Sequence, residues 1–200
     1  MKRTLIKNAM NDLAVGEQVK LAGWIRTVRT SGGGFSFLAI NDGSCLATIQ
    51  VVADNTLDNY DEITKLTTGS SVAVEGELVA SPAKGQRVEV KAGAVRVLGL
   101  ADADAYPIQP KRHTFEFLRT QAHLRARTNT FGSVARVRNR ISAAIHEFFQ
   151  QRGFLYVNTP VITASDCEGA GEMFRVTTVD VNNPPRTSEG SVDWSKDFFA

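Results

Sequence analysis

The chain has 200 residues, 42% of them hydrophobic and 22% charged, and its 23 Lys and Arg against 21 Asp and Glu leave a net charge of +2. This is the composition of an ordinary soluble globular chain, long enough for one or two domains and a sizeable core. No apolar run approaches the roughly 20 residues that span a bilayer. The Met1-Lys2-Arg3 start leads into Lys7-Asn8 rather than a signal-peptide core, so a cytoplasmic protein without membrane contact is expected. Cys45 and Cys167 lie far apart without metal-ligand spacing, which argues against a disulfide framework and a zinc site; no metal ligand is expected.

In chain order, the first hundred residues alternate apolar and polar side chains in short runs with glycine-rich breaks, the period of strands joined by turns. Val19, Leu21, Gly23 and Ile25 alternate with Lys20, Ala22, Trp24 and Arg26, and Ser31-Gly32-Gly33-Gly34 forms the turn. Phe35–Ile40 is a second strand, Asn41-Asp42-Gly43-Ser44 a turn, and Cys45–Val52 a third strand. Leu57, Tyr60, Ile63 and Leu66 recur at helical spacing with Gly69 as the stop. Two more alternating runs, Val72–Val79 and Gln86–Val97, complete the set. Three strands, a helix and two strands are the order of the five-stranded OB barrel, whose strands 2 and 3 commonly bind oligonucleotides. An immunoglobulin-like sandwich would need about seven strands and no such helix.

Residues 101–122 read as a hinge, small and polar at first, with Pro107 and Pro110. A basic bias follows: Lys111, Arg112, Arg119, Arg125, Arg127, Arg136, Arg138 and Arg140 stand against Glu116. Such a cluster fits phosphate and equally a solvated helix face. Val134, Val137, Ile141, Ile145 and Phe148 then mark one stripe of a helix expected from near Thr130 to Arg152, facing a core or a partner chain, with Gly153 as its C-cap. Phe154–Val157 reads as a strand ended by Pro160. Overall the expected class is β plus α+β: residues 1–100 an OB-fold domain, 101–122 the hinge, and 123–200 the start of a second domain.

The run from Gly153 to Ile162, preceded by a long helix, resembles motif 1 of class II aminoacyl-tRNA synthetases. With an N-terminal OB domain it is similar to subclass IIb, and Thr163–Phe174 looks like the asparaginyl form of the loop that closes over the amino-acid site. The resemblance covers essentially the whole chain. The family's second and third motifs, which hold ATP through arginines, are not found before Ala200; together with the apolar Phe198-Phe199 pair at the end, this leads to the expectation that the chain is the front part of the enzyme. No catalytic residue is expected within it.

The resemblance implies an asparagine–tRNA ligase, with ATP and Mg²⁺ as substrate and metal of the parent enzyme, and tRNA-Asn, asparagine and a second copy of the chain as partners. It implies that Phe37 stacks on an anticodon base and that Gln50 reads the central anticodon uridine. Arg26 and Arg29 would meet phosphates or bases, and Glu77 would accept from a guanine. Phe35 shares Phe37's side of the strand, and from the residues alone either ring can fill the core instead. Glu168 would meet the substrate's α-ammonium, with Ser165 and Gly169 shaping the loop. Val137, Ile141 and Pro160 would form the dimer interface. No catalytic role is expected of His113, His123, His146 or Cys167. The rival readings are an aspartyl-tRNA synthetase and a non-catalytic OB-fold RNA-binding module.

Overall fold

The computed structural model describes residues 2–162, 176–193 and 195, and the chain divides into two compact units, residues 1–143 and 144–200. The first unit holds helix α1 (Ile6–Asn11), strands β1 (Gln18–Ser31), β2 (Phe35–Asn41) and β3 (Ile49–Asp54), helix α2 (Tyr60–Ile63), strands β4 (Ser71–Ala80) and β5 (Val88–Gly99), and helix α3 (Phe115–Thr120). A 3₁₀ turn over Arg125–Arg127 leads into helix α4 (Asn129–Gln150), which continues past the unit boundary.

The five strands close into a barrel in the order β1-β2-β3-β5-β4, as expected of an OB fold. Every neighbouring pair is antiparallel except β3 with β5, where Val51 faces Val90 and Val52 faces Lys91. Closure leaves no edge exposed and turns alternate residues inward. Val19, Leu21, Leu38, Ile40, Val51, Val74, Leu78 and Val90 therefore fill a buried interior, which Ile6 and Ala9 of α1 and Ile63 of α2 join. Ser36 is inward and fully buried, but its hydroxyl lies 3.2 Å from the Tyr60 hydroxyl and 3.1 Å from that of Thr30, so no polar group is stranded. Between Glu75 and Gly76 the β4–β5 register slips; a Cβ on Gly76 would collide with the Lys91 carbonyl, so only glycine lets the strands close there.

Some expected boundaries move. Cys45–Thr48 belong to the loop before β3 rather than to the strand, because Asn41 holds this stretch: its side-chain nitrogen donates to the carbonyls of Cys45 (3.0 Å) and Ala47 (2.6 Å). The helix expected over Leu57–Leu66 shortens to Tyr60–Ile63, and α1 had no periodic signal to announce it. It is fixed instead by tertiary contact: the Asp42 carboxylate accepts from the Ile6 N–H at 3.0 Å at its first turn.

In the second unit, the Gly153 N–H donates to the Gln150 carbonyl at 3.0 Å and Gly153 takes φ +81°, ending the long helix as expected. The strand expected over Phe154–Val157 does not form: no described strand pairs with it, and its side chains are exposed. Local contacts hold the turn, with the Phe149 and Phe154 rings edge-on at 5.4 Å and His146 edge-on to Tyr156 at 4.6 Å.

Candidate nucleic-acid interface

Alternation along β2 turns Leu38 and Ile40 into the core and Phe35, Phe37 and Ala39 outward. On β3, Ile49 and Val51 point in while Gln50, Val52 and Asp54 point out. The register then pairs Phe35 with Asp54, Phe37 with Val52 and Ala39 with Gln50, so two aromatic rings and an amide share one outer face. The core alternative for Phe35 and Phe37 is thereby removed: Phe35 is 39% exposed and Phe37 half-buried on the barrel's outside. Both positions have the same parity and follow the pleat together.

Arg29 pairs with Phe37 across β1–β2, and its guanidinium carbon lies 5.0 Å from the ring centroid, a cation–π distance. On the far side of Val52, Lys91 is exposed on β5. The rings are therefore flanked by positive charge on both sides. At the end of the face the Asp54 carboxyl is held below its usual range by hydrogen bonds from the Thr56 backbone and side chain, and stays an anion.

Gln50 is held from beneath by a residue not singled out from the sequence. Its Nε2 donates to Glu89 Oε2 at 3.0 Å, and the same oxygen accepts from Ser81 Oγ at 3.2 Å and Gln86 Nε2 at 3.3 Å. Glu89 is only 8% exposed although it lies on the outer face of β5. A carboxylate accepts and does not donate, so it forces the Gln50 nitrogen inward and leaves Oε1 outward. That oxygen has no hydrogen-bond partner among the described residues. The signal was present in Val88-Glu89-Val90, an acid flanked by inward-facing valines, but only the parallel β3–β5 pairing sets it beside Gln50.

The remaining site residues lie elsewhere. Glu77 is exposed on β4, opposite Lys91 and Gln18, with β5 between it and β3. Arg26 sits where the β1–β2 register slips, and its guanidinium donates to the Arg127 carbonyl rather than lying on the face of Phe37 and Gln50. Arg127 in turn covers Trp24 at 4.3 Å, so that indole packs against a guanidinium. Arg125 lies over Phe131 at 4.9 Å. Much of the basic cluster thus serves internal contacts. On α4, Val137 (59%) and Ile141 (56%) are exposed, as is Pro160, so among the described residues nothing buries these side chains. Ser165, Glu168, Gly169 and Cys167 lie outside the described residues. Among the described residues no cluster of three His, Cys, Asp or Glu side chains suits a metal ion, and no helix is long and apolar enough to cross a membrane.

Comparison with known proteins agrees with this geometry. Residues 19–98 match the family described as OB-fold nucleic acid binding domain, and residues 115–184 match tRNA synthetases class II (D, K and N). Asparagine–tRNA ligase of Geotalea uraniireducens is 56% identical over 198 residues, covering 99% of this chain and 42% of the relative. That of Shewanella loihica is 59% identical over 190 residues, covering 94% and 41%. Among solved structures, asparaginyl-tRNA synthetase from Pyrococcus horikoshii superposes with a TM-score of 0.71 at 25% identity, over 81% of this chain and 38% of that one. The chain spans about two fifths of the length of the curated relatives it matches. Residues 19–98 thus match OB-fold nucleic acid binding domains and residues 115–184 match class II tRNA synthetases (D, K and N), and the chain shares more than half of its residues with asparagine–tRNA ligases along nearly its whole length.

Proposed function

We propose that this chain provides anticodon recognition and part of the catalytic domain of an asparagine–tRNA ligase. The observation that carries the reading is the outer face of β2 and β3, where Phe37 stands beside a Gln50 whose amide is fixed by Glu89. A single-stranded base stacks on Phe37 without selection by sequence, a contact worth ~1–3 kcal/mol. Selection falls to Gln50. Its outward carbonyl oxygen accepts from the N3–H of uridine and repels the N3 lone pair of cytidine, which matches a central anticodon uridine. Arg29 supplies charge beside the stacked base, with Phe35 extending the aromatic surface and Arg26 and Glu77 as outlying contacts.

In the reaction, the carboxylate of asparagine attacks the α-phosphate of ATP, forming asparaginyl-adenylate and expelling pyrophosphate. The terminal ribose hydroxyl of tRNA-Asn then attacks the carbonyl and releases AMP. Mg²⁺ would neutralise phosphate charge in the first step. Glu168 would bind the α-ammonium by charge-assisted hydrogen bonds in a loop shaped by Ser165 and Gly169. Residues 1–100 read the anticodon, 101–122 form the hinge and 123–200 open the catalytic domain. The exposed stripe of Val137 and Ile141 supports a homodimer in which that stripe meets its copy, and the resemblance adds Pro160 as a separate interface residue. The setting is the cytoplasm.

The test has two arms. This chain should bind an anticodon stem-loop with a central uridine more tightly than its cytidine variant, and equal affinity would remove the anticodon role. A protein of the relatives' full length carrying these 200 residues should catalyse asparagine-dependent ATP–pyrophosphate exchange. Exchange with aspartate instead would reassign it to the aspartyl enzyme, and no exchange alongside hairpin binding would leave an RNA-binding module.

A further inference from the structure

The loop between β2 and β3, residues 42–48, ends two residues before Gln50 and is held from two sides. From its own strand, Asn41 closes it: Nδ2 donates to the Cys45 and Ala47 carbonyls, and Oδ1 accepts from the Gly43 N–H at 2.8 Å. From outside, the first two turns of α4 lie against it. Arg136 donates through Nη2 to the Gly43 carbonyl at 2.7 Å and through Nη1 to the Gly132 carbonyl of its own helix at 3.1 Å. Gly132 is buried, and a Cβ there would come within 3.2 Å of Leu46 Cδ2 and within 3.2 Å of the Ala126 carbonyl. The helix thus meets the loop where there is barely room for a methyl group.

One charge-assisted bond and one close approach, of Leu46 to Gly132, therefore key the loop to α4. A guanidinium forked between two carbonyls fixes distance and direction together, which a single flexible ammonium does not. Loop backbone is otherwise the softest part of a barrel, and whatever fixes it fixes where the next strand begins. The next strand carries Gln50 as its second residue.

We propose that Arg136 and Gly132 of α4 are positioning residues for base reading: they hold the β2–β3 loop, and through it the lateral placement of the Gln50 carbonyl. This rests on the reading of Gln50 given above. By linkage the joint acts in both directions, so a base bound at Gln50 favours the same loop position against α4 that α4 imposes on the loop. Arg136 touches no base in this scheme, and Gly132 acts through Leu46.

The experiment is a fluorescence-anisotropy titration of the 200-residue chain with two RNA stem-loops that differ only in a central uridine or cytidine. Arg136→Ala and Gly132→Val should each lower the uridine-over-cytidine affinity ratio by roughly threefold or more. Arg140→Ala, which removes one exposed charge a turn further along α4, should weaken both hairpins equally and keep the ratio. Gly132→Val leaves the charge unchanged, so loss of the ratio in both variants separates geometry from attraction. Arg136 is exposed, and thermal melting should find its variant folded even if Gly132→Val is not. A wild-type ratio in folded Arg136→Ala, with Gln50→Ala abolishing preference, would overturn the proposal and leave the joint merely structural. A wild-type chain without preference would overturn the reading of Gln50 itself, and this proposal with it.

Discussion

The side-chain nitrogen of Gln50 donates to the Glu89 carboxylate at 3.0 Å, and this bond decides what Gln50 offers to a ligand. With Ser81 and Gln86 donating to the same oxygen, the carboxylate is a fixed acceptor under the site. Glu89→Gln replaces it with an amide that both donates and accepts, so Gln50 is free to turn over. The uridine-over-cytidine preference should fall by about tenfold, the ratio that ~1.4 kcal/mol of lost discrimination produces. Paired titrations with the two stem-loops measure it, and an unchanged ratio would show that Glu89 does not orient Gln50.

Phe37 stands outside the core, so its removal should separate binding from folding. Phe37→Ala should weaken stem-loop binding by ~1–3 kcal/mol, about 5- to 150-fold, while the melting temperature moves little. Leu38→Ala, one residue along and fully buried, should do the reverse, costing ~2–5 kcal/mol of stability. If both variants lost stability alike, Phe37 would be a packing residue.

Asp42 gives the chain a distinct response to acid. Burial by itself would raise its pKa, but hydrogen bonds from the Ser44 side chain and from the Ile6 and Ser44 backbones, with Arg3 nearby, hold the carboxyl below its usual range. A depressed folded-state pKa means stability that is present above the unfolded value of about 4 and is lost as pH falls through the lower folded value. Asp42→Asn should therefore be less stable than the parent at pH 7, and the gap should close in strong acid. Urea unfolding at pH 7 and at successively lower pH below about 4 tests this; a gap that does not narrow as the pH falls would assign the effect to shape rather than charge.

Gly76 tests barrel closure. A methyl group there collides with the Lys91 backbone carbonyl, which cannot step aside as a side-chain tip can. Gly76→Ala should cost roughly 1–3 kcal/mol as overpacking, and lower the melting temperature without altering the uridine preference of the chain that remains folded. Gly85→Ala is the contrast: its added Cβ meets no atom within 4 Å, so any loss reports its φ of +91° alone.

By itself the sequence determined the strand count and order, because period-2 alternation between glycine-bearing turns is a local signal that the barrel does not override. It also determined the α4 stripe and the Gly153 stop, both set by helical spacing. The parity of Phe35 and Phe37 was legible too, since residues two apart share a face. Which face was not: a strand does not say which of its sides will be inside until its partners arrive, and Leu38 and Ile40 won that place by closing against Val51. The tertiary structure also decided the fate of the charged groups. Glu89 meets Gln50 because β5 runs parallel to β3 across 39 residues of chain. The Arg26, Arg127 and Arg136 guanidiniums bind carbonyls and rings within the same unit rather than standing free. A charge in a sequence specifies what it can bind, whereas its partner is chosen by distances that exist only after the chain has folded.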